Sequence, residues 1–319
     1  MKKILVTGGC GYVGTTLVTN LLDLGFKVTV VDTQWFGNFL TKKNKNLKLI
    51  KKNISDIDKI NLSGHYAVIH LANIANDPAA LLDSRLTWDV NVLFTKKIIE
   101  QSIKYKLKKF IFASSGSVYG IKKEKRVTEN LSLVPISDYN KSKMIAEKVL
   151  MSYKDKIKVY CIRPATVCGF SKNMRLDVSV NLLTFQALSK KMINVFGGNQ
   201  IRPNIHIKDL CNVFKFFLQR NIASGEYNAG FENIKIIDLA KKISRYTPTK
   251  IKIIKKNNDP RSYRQDSSKL IQLGFKRKYG VEYAIKELVK KYKEGLLKKS
   301  ENFFRVKFMK KHKKIIKNS

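Results

Sequence analysis

Tyr139 and Lys143 stand four residues apart in the run Asp138-Tyr139-Asn140-Lys141-Ser142-Lys143-Met144. An apolar-periodic stretch follows, carried by Met144, Ile145, Val149 and Leu150. On a helix this spacing sets the phenol and the ammonium on one face. A cation beside a phenol favours the phenolate and lowers its pKa from about 10. A tyrosine so treated can act as a general base near neutral pH. In a chain with 63 Lys and Arg residues the same pair also arises on an ordinary solvated helix face. The elements around it decide its weight.

Lys3-Ile4-Leu5-Val6-Thr7 is a short apolar run suited to a buried strand. Gly8-Gly9-Cys10-Gly11-Tyr12-Val13-Gly14 comes next, then a helical pattern through Leu17, Val18, Leu21, Leu22 and Leu24. Glycines at 8, 11 and 14 let the backbone turn tightly and approach a pyrophosphate, with the helix N-terminus facing the negative charge. A second strand, Lys27 to Val31, delivers Asp32, an acid that suits an adenosine ribose and repels a 2′-phosphate. Residues 33 to 37 offer no basic side chain, so the pattern favours NAD over NADP. Further strand-like runs at Tyr66–Ala72 and Phe110–Ala113 enclose a helical stretch from Trp88 to Ser102. The second of these runs ends in Ser114-Ser115-Gly116-Ser117-Val118-Tyr119-Gly120. Strand and helix in alternation predict an α/β fold, a Rossmann-type doubly wound parallel sheet with ligands outside the carboxyl ends of its strands.

With these pieces in order, the chain resembles the extended short-chain dehydrogenase/reductase superfamily, specifically its NAD-dependent nucleotide-sugar epimerases and dehydratases. The resemblance runs over roughly residues 1 to 290. It is carried by Thr7 to Gly14, His70-Leu71-Ala72, Asn91-Val92, Ser114 to Gly120, Tyr139-x-x-x-Lys143, Arg163 to Val167, and Phe196 to His206. It implies that Tyr139 is the catalytic base, that Lys143 lowers its pKa and holds the nicotinamide ribose, and that Ser115 hydrogen-bonds the reacting oxygen. It implies cofactor contacts from Gly8, Gly11, Tyr12, Val13, Gly14, Asp32, Leu71 and Ala72. Asn53-Ile54 fill the place of the family's Asp-hydrophobe pair near the adenine, with an amide where relatives carry a carboxylate.

The resemblance also narrows the reaction. The family's chemistry begins with oxidation of a sugar carbinol, most often C4, to a keto sugar. The 4,6-dehydratases carry an Asp-Glu pair just after the catalytic serine or threonine, and here Gly116 and Ser117 stand there. Neither is a carboxylate acid or base. Enzymes acting at C3 and C5 need a cysteine acid near the same loop, and Cys10, Cys161, Cys168 and Cys211 all lie elsewhere. An epimerase or dehydrogenase working through a keto intermediate is the expected function. A 4-keto-sugar reductase and a non-catalytic dinucleotide-binding scaffold are the alternatives.

Residues 1–167 read as the NAD-binding domain and 168–297 mainly as a smaller substrate-binding lobe, some of whose segments return to the first. In that lobe Arg202 matches an arginine that contacts nucleotide diphosphate in the relatives, and a guanidinium suits bidentate phosphate binding. Arg261 is a second phosphate candidate, and Arg175 either points at the sugar or stabilises a turn. His70 and His206 read as structural, and no His, Cys or Asp set has metal-ligand spacing. Four scattered cysteines fit a reducing cytosol, so the expected location is cytoplasmic. Met1-Lys2-Lys3 begins like a signal peptide, but Gly8 interrupts the apolar run. The net charge of +39 comes from lysine spread along every segment, which argues against a specific nucleic-acid surface. The expected partners are a nucleotide-diphosphate sugar and, by analogy with relatives, a second copy of the chain. The basic tail, 298–319, interleaves Phe303, Phe304, Val306, Phe308, Met309, Ile315 and Ile316 with lysines. It reads either as a frayed terminus or as an amphipathic segment for weak contact with an acidic membrane.

Overall fold

In the computed structural model, which describes residues 1–40, 44–255, 262–313 and 316, the first apolar run is strand β1 (Lys3–Thr7) and the pattern after it is helix α1 (Tyr12–Asp23). The next strands are β2 (Lys27–Asp32), β3 (Leu47–Lys51), β4 (His65–His70), β5 (Lys109–Ala113) and β6 (Lys158–Pro164). With Gly225–Ala229 they make a seven-stranded sheet in the order Gly225–Ala229, β6, β5, β4, β1, β2, β3. Every pairing in it is parallel. Successive side chains on a strand face opposite ways, so both faces need a cover. Ile4 and Val6 pack with Leu17, Val18 and Leu21 of α1 and with Phe214 and Phe217. Leu5 joins Val68, Phe110, Ile98 and Leu150 on the other side.

The chain runs outward from β1 through β2 to β3, then returns to place β4 on the opposite side of β1. That reversal opens a crevice at the carboxyl ends of β1 and β4, the usual ligand position in open α/β sheets. The stretch expected to be helical from Trp88 departs from a simple α-helix. It makes one π-helical turn, Asp89–Leu93, before the α-helix Phe94–Lys104. Asn91 in the wide turn is fully buried beside the crevice, and such turns recur at functional sites.

The second half contributes a three-stranded sheet (Glu232–Lys235, Ile201–His206, Thr166–Cys168) and a parallel pair (Lys250–Ile254 with Met192–Phe196). Val180, Ile193, Leu239 and Ile285 share a core of their own there. The Gly225–Ala229 strand and the helix Ile207–Gln219 return to the large sheet and α1.

The described part of the tail is packed on the protein. Phe303, Met309 and Ile316 are buried in the body of the protein, while Lys307, Lys310 and Lys311 point outward. Leu176 N donates to Phe303 O at 2.8 Å, and Phe308 stands edge-on to Phe36 with ring centroids 5.4 Å apart. The buried apolar side chains of this segment thus face the protein, and Ile315 lies outside the described residues. Among the described residues no helix is long and apolar enough to cross a membrane.

Candidate active site

The glycine loop after β1 is shaped by two contacts that admit no side chain. Gly8 has φ +70°, and a Cβ there would stand 2.5 Å from Ala72 N, at the end of β4. A Cβ on Gly14 would stand 2.3 Å from Gly8 O. The loop therefore folds flat between α1 and the β4 end. The first turn of α1 carries no acidic residue, and Gly11 supplies no side-chain cap, so its amide dipoles are left for an anion. Asp32 closes the side of the loop: Oδ2 accepts Cys10 N at 2.9 Å and Oδ1 accepts Gln34 N at 2.6 Å. Burial raises the Asp32 pKa, against the two amides and the nearby Arg305 charge.

Gly8, Gly11, Tyr12, Val13, Gly14, Asp32, Asn53, Ile54, Leu71 and Ala72 line one cleft. Asn53 uses its amide oxygen to accept Ser55 N at 3.0 Å, capping the turn Ile54–Lys59. The Tyr12 hydroxyl donates to Gly169 O at 2.7 Å, so this residue also ties α1 to the second half. Arg175 lies in the same cleft wall, its Nε 2.7 Å from Asp177 Oδ1 and its Nη2 3.0 Å from Ala75 O. The Asp177 contact is a local one of the turn-stabilising kind, while the Arg175 charge still acts on Tyr139 and Tyr12. Arg202 sits half-buried on the Ile201–His206 strand, away from the cleft lining. Arg261 lies outside the described residues.

Tyr139 and Lys143 occupy the first turns of the helix Asp138–Met151, which starts at the Ser137 cap. This helix packs against the turn Gly116–Tyr119, whose cap is Ser115. Ser115 Oγ and Ser117 Oγ are 2.8 Å apart, at the carboxyl end of β5. A Cβ at Gly116 would meet Gln265 Oε1 at 2.8 Å, so the place of the dehydratase acid is filled from another segment. Lys143 is 1% exposed, and its Nζ donates to Ala113 O at 2.8 Å. Burial pushes its pKa down to about 7, with the Glu147 charge opposing.

That shift has a measurable sign. Folded, Lys143 releases its proton near pH 7, and unfolded it holds it to about 10.5. Between those values the unfolded chain binds more protons, so this group makes stability rise with pH. Melting curves from pH 7 to 9 should therefore rise more steeply for the wild type than for Lys143→Met. Parallel curves would show that Lys143 is charged in the fold.

Asn91 is a residue whose role only the structure reveals. Its Oδ1 accepts Ile74 N at 2.9 Å, and its Nδ2 donates to Ser142 Oγ at 3.0 Å. Ser142 Oγ in turn donates to Tyr139 O at 2.8 Å. The cleft wall and the Tyr139 turn are thus bolted together. His70 bonds Thr7 and Thr95 in the core and is held neutral, its pKa lowered to about 3 by burial and then by Lys143. His206 Nδ1 accepts Lys208 N at 3.2 Å, which leaves its Nε2 proton for Glu287 at 3.2 Å. Both are structural. Among the described residues no cluster of three His, Cys, Asp or Glu side chains is arranged to hold a metal.

A doubly wound parallel sheet with a glycine-loop cleft and a Tyr-Lys helix at its strand ends defines a dinucleotide-binding α/β protein of the short-chain dehydrogenase/reductase type. Residues 4–230 match the NAD dependent epimerase/dehydratase family, and the chain belongs to it. An uncharacterised protein of Sinorhizobium fredii is 30% identical over 74% of this chain, which spans 60% of that relative's length. A bifunctional UDP-glucose and UDP-xylose 4-epimerase of Arabidopsis thaliana is 27% identical, with 88% of this chain and 92% of the relative covered. The structure of Bacillus cereus UDP-glucuronic acid 4-epimerase, in complex with UDP-glucuronic acid and NAD, superposes with TM-score 0.79 at 27% identity. That match covers 92% of this chain and 99% of the other. NAD is the family's cofactor, and the uncapped α1 terminus, the flat glycine loop and Asp32 fit its pyrophosphate and adenosine ribose.

Proposed function

We propose that this chain inverts C4 of a nucleotide-diphosphate sugar through a 4-keto intermediate, with UDP sugars the first substrates to test. The observation that carries the reading is the placement of Tyr139 and Lys143 on one helix whose first turns pack on the Ser115 strand end. NAD, held by the glycine loop and Asp32, would supply the hydride acceptor and donor for the carbinol carbon. Tyr139 takes the hydroxyl proton as the C–O double bond forms and gives it back on return. Lys143 supplies the neighbouring charge when it carries its proton, which burial confines to pH values up to about 7 in the cofactor-free fold, and Ser115 holds the reacting oxygen. The glycine-loop backbone, Asp32 and the Asn53-Ile54 wall hold the cofactor, and Arg202 and Arg261 are the proposed diphosphate contacts. The relatives named as 4-epimerases support C4, and the Gly116-Ser117 pair, which offers no carboxylate, speaks against dehydration. Residues 1–167 serve as the cofactor domain, 168–297 mainly as the sugar lobe, and two copies pair, by analogy with relatives, through two helices of each subunit that include Asp138–Met151.

Purified protein incubated with UDP-glucose, UDP-glucuronic acid or UDP-N-acetylglucosamine should convert one of them to an equilibrium mixture with its C4 epimer. Proton NMR reads the epimer ratio, and absorbance at 340 nm should show no net change. Stoichiometric growth at 340 nm would replace the epimerase by a dehydrogenase. No turnover of any nucleotide sugar would return the chain to the scaffold alternative.

A further inference from the structure

The cleft has a wall that comes from the far end of the chain. Arg305 and Met309, both on the helix Arg305–Lys311, line it together with the glycine loop and Asp32. Arg305 is 6% exposed. Its Nη1 donates to Asn302 O at 2.6 Å, and its Nη2 donates to Asn173 Oδ1 at 2.6 Å and Met174 O at 3.2 Å. Its guanidinium carbon lies 4.1 Å from the centroid of the Phe36 ring. All of these acceptors are neutral, and among the described residues no carboxylate forms an ion pair with it. Arg175, the other guanidinium of the wall, is already paired with Asp177.

A buried cation with no carboxylate in hydrogen-bonding contact is stabilised by an anion that reaches it. Burial, and then the Arg175 charge, push Arg305 down to about 9, against the pull of Asp177 and Asp32. Arg305 is thus a buried cation on the cleft wall whose hydrogen bonds all go to neutral acceptors, while Asp32 and Asp177 act on it only through space. Asn173, which accepts from Arg305, donates through Nδ2 to Cys10 O at 2.6 Å, on the glycine loop itself. Met309 packs in the cluster that holds Ile54, Ala79 and Val90, on the apolar side of the same cleft. One short helix thus presents a charge beside the loop and a thioether beside the apolar wall.

We propose that the C-terminal helix Arg305–Lys311 is part of the dinucleotide site: Arg305 is the counter-charge for the cofactor's phosphates, and Met309 completes the wall around its adenine. The proposal rests on NAD binding in this cleft. The tail acts as a clamp, and a phosphate seated beside the glycine loop would give Arg305 a charged hydrogen-bond partner.

The test compares wild type, Arg305→Gln, Arg305→Lys and Met309→Ala as full-length chains stripped of nucleotide. Calorimetric titration with NAD⁺, ADP and adenosine reads affinity, and thermal melting reads apo stability. Loss of a charge-assisted hydrogen bond to phosphate corresponds to about a 10- to 100-fold change in Kd. Arg305→Gln should weaken NAD⁺ and ADP by that factor and leave adenosine within about twofold, while the apo melting temperature holds or rises. Arg305→Lys should recover part of the loss, and Met309→Ala should weaken adenosine as well. Equal NAD⁺ and ADP affinities in wild type and Arg305→Gln overturn the clamp while leaving the cofactor reading intact. A fall in apo melting temperature without a change in Kd makes Arg305 a packing residue only. A wild type that binds neither NAD⁺ nor ADP overturns the cofactor reading, and the clamp with it.

Discussion

Tyr139→Phe is expected to lower kcat by about 10²- to 10⁴-fold, the range for removing a general acid–base group. The substitution deletes one oxygen and little else. The turn that presents Tyr139 is fixed through its backbone, by Ser142 Oγ on Tyr139 O, by Asn91 on Ser142 and by the Ser137 cap on Asn140 N. The ring itself packs at the edge of the core that holds Leu150 and Ala146, and phenylalanine keeps that packing. Circular dichroism, melting temperature and NAD content should therefore match the wild type while epimer formation collapses. The loss should appear in kcat more than in KM, because the proton moves only as the carbinol is oxidised. A variant within tenfold of wild-type turnover would mean that another group takes the proton, and Ser115 would be the next to replace.

Local pattern made much of this site legible. Strand β1, the glycine loop, α1 and Asp32 follow one another within about thirty residues, and each is specified by its own apolar period or turn chemistry. The Tyr139 helix was equally readable, because its spacing and cap are local. What escaped depends on contacts between distant parts of the chain. Phe303, Met309 and the lysines between them look the same in sequence whether a bilayer, solvent or the protein covers them. Their partners Phe36, Ile54 and Leu176 carry no signal that points to residue 300 or beyond. Arg175 is ambiguous for the same reason, since the Ala75 carbonyl, 100 residues away, meets it only in the fold. The π-helical turn at Asp89–Leu93 keeps an apolar helical rhythm, so the wider winding that accompanies the burial of Asn91 leaves no mark in the pattern. The lobe carrying Arg202 returns one strand to the main sheet, an arrangement set by core packing.

Glu147→Ala is expected to cost about 3–5 kcal/mol of stability, because it strands a buried guanidinium. Glu147 lies one turn beyond Lys143 and is 2% exposed. It takes Arg163 Nε at 2.9 Å and Nη2 at 2.7 Å in a bidentate pair. Arg163 Nη1 donates to the Tyr119 hydroxyl at 2.8 Å, and that hydroxyl donates to Asn228 Oδ1 at 2.9 Å. Gln265 Nε2 reaches both Asn228 Oδ1 and Arg163 O. The network joins the Tyr139–Lys143 helix, the Ser115–Tyr119 turn, β6 and the Gly225–Ala229 strand, so it holds the proposed proton-transfer groups in register. Burying an ion pair gains little over apolar packing, whereas breaking it leaves one charge uncompensated. The double variant Glu147→Leu/Arg163→Met should therefore recover most of the stability lost by Glu147→Ala. Its turnover should remain depressed, because the Tyr119 hydroxyl loses its donor and the Ser115 turn is left with the Asn228 contact alone. Chemical denaturation and kcat measured on the same samples separate the two effects. Recovery of stability together with full turnover would show that the pair supports the fold and leaves the site geometry alone. A Glu147→Ala variant as stable as the wild type would show that Arg163 finds water or another acceptor, and that the network does not hold this helix.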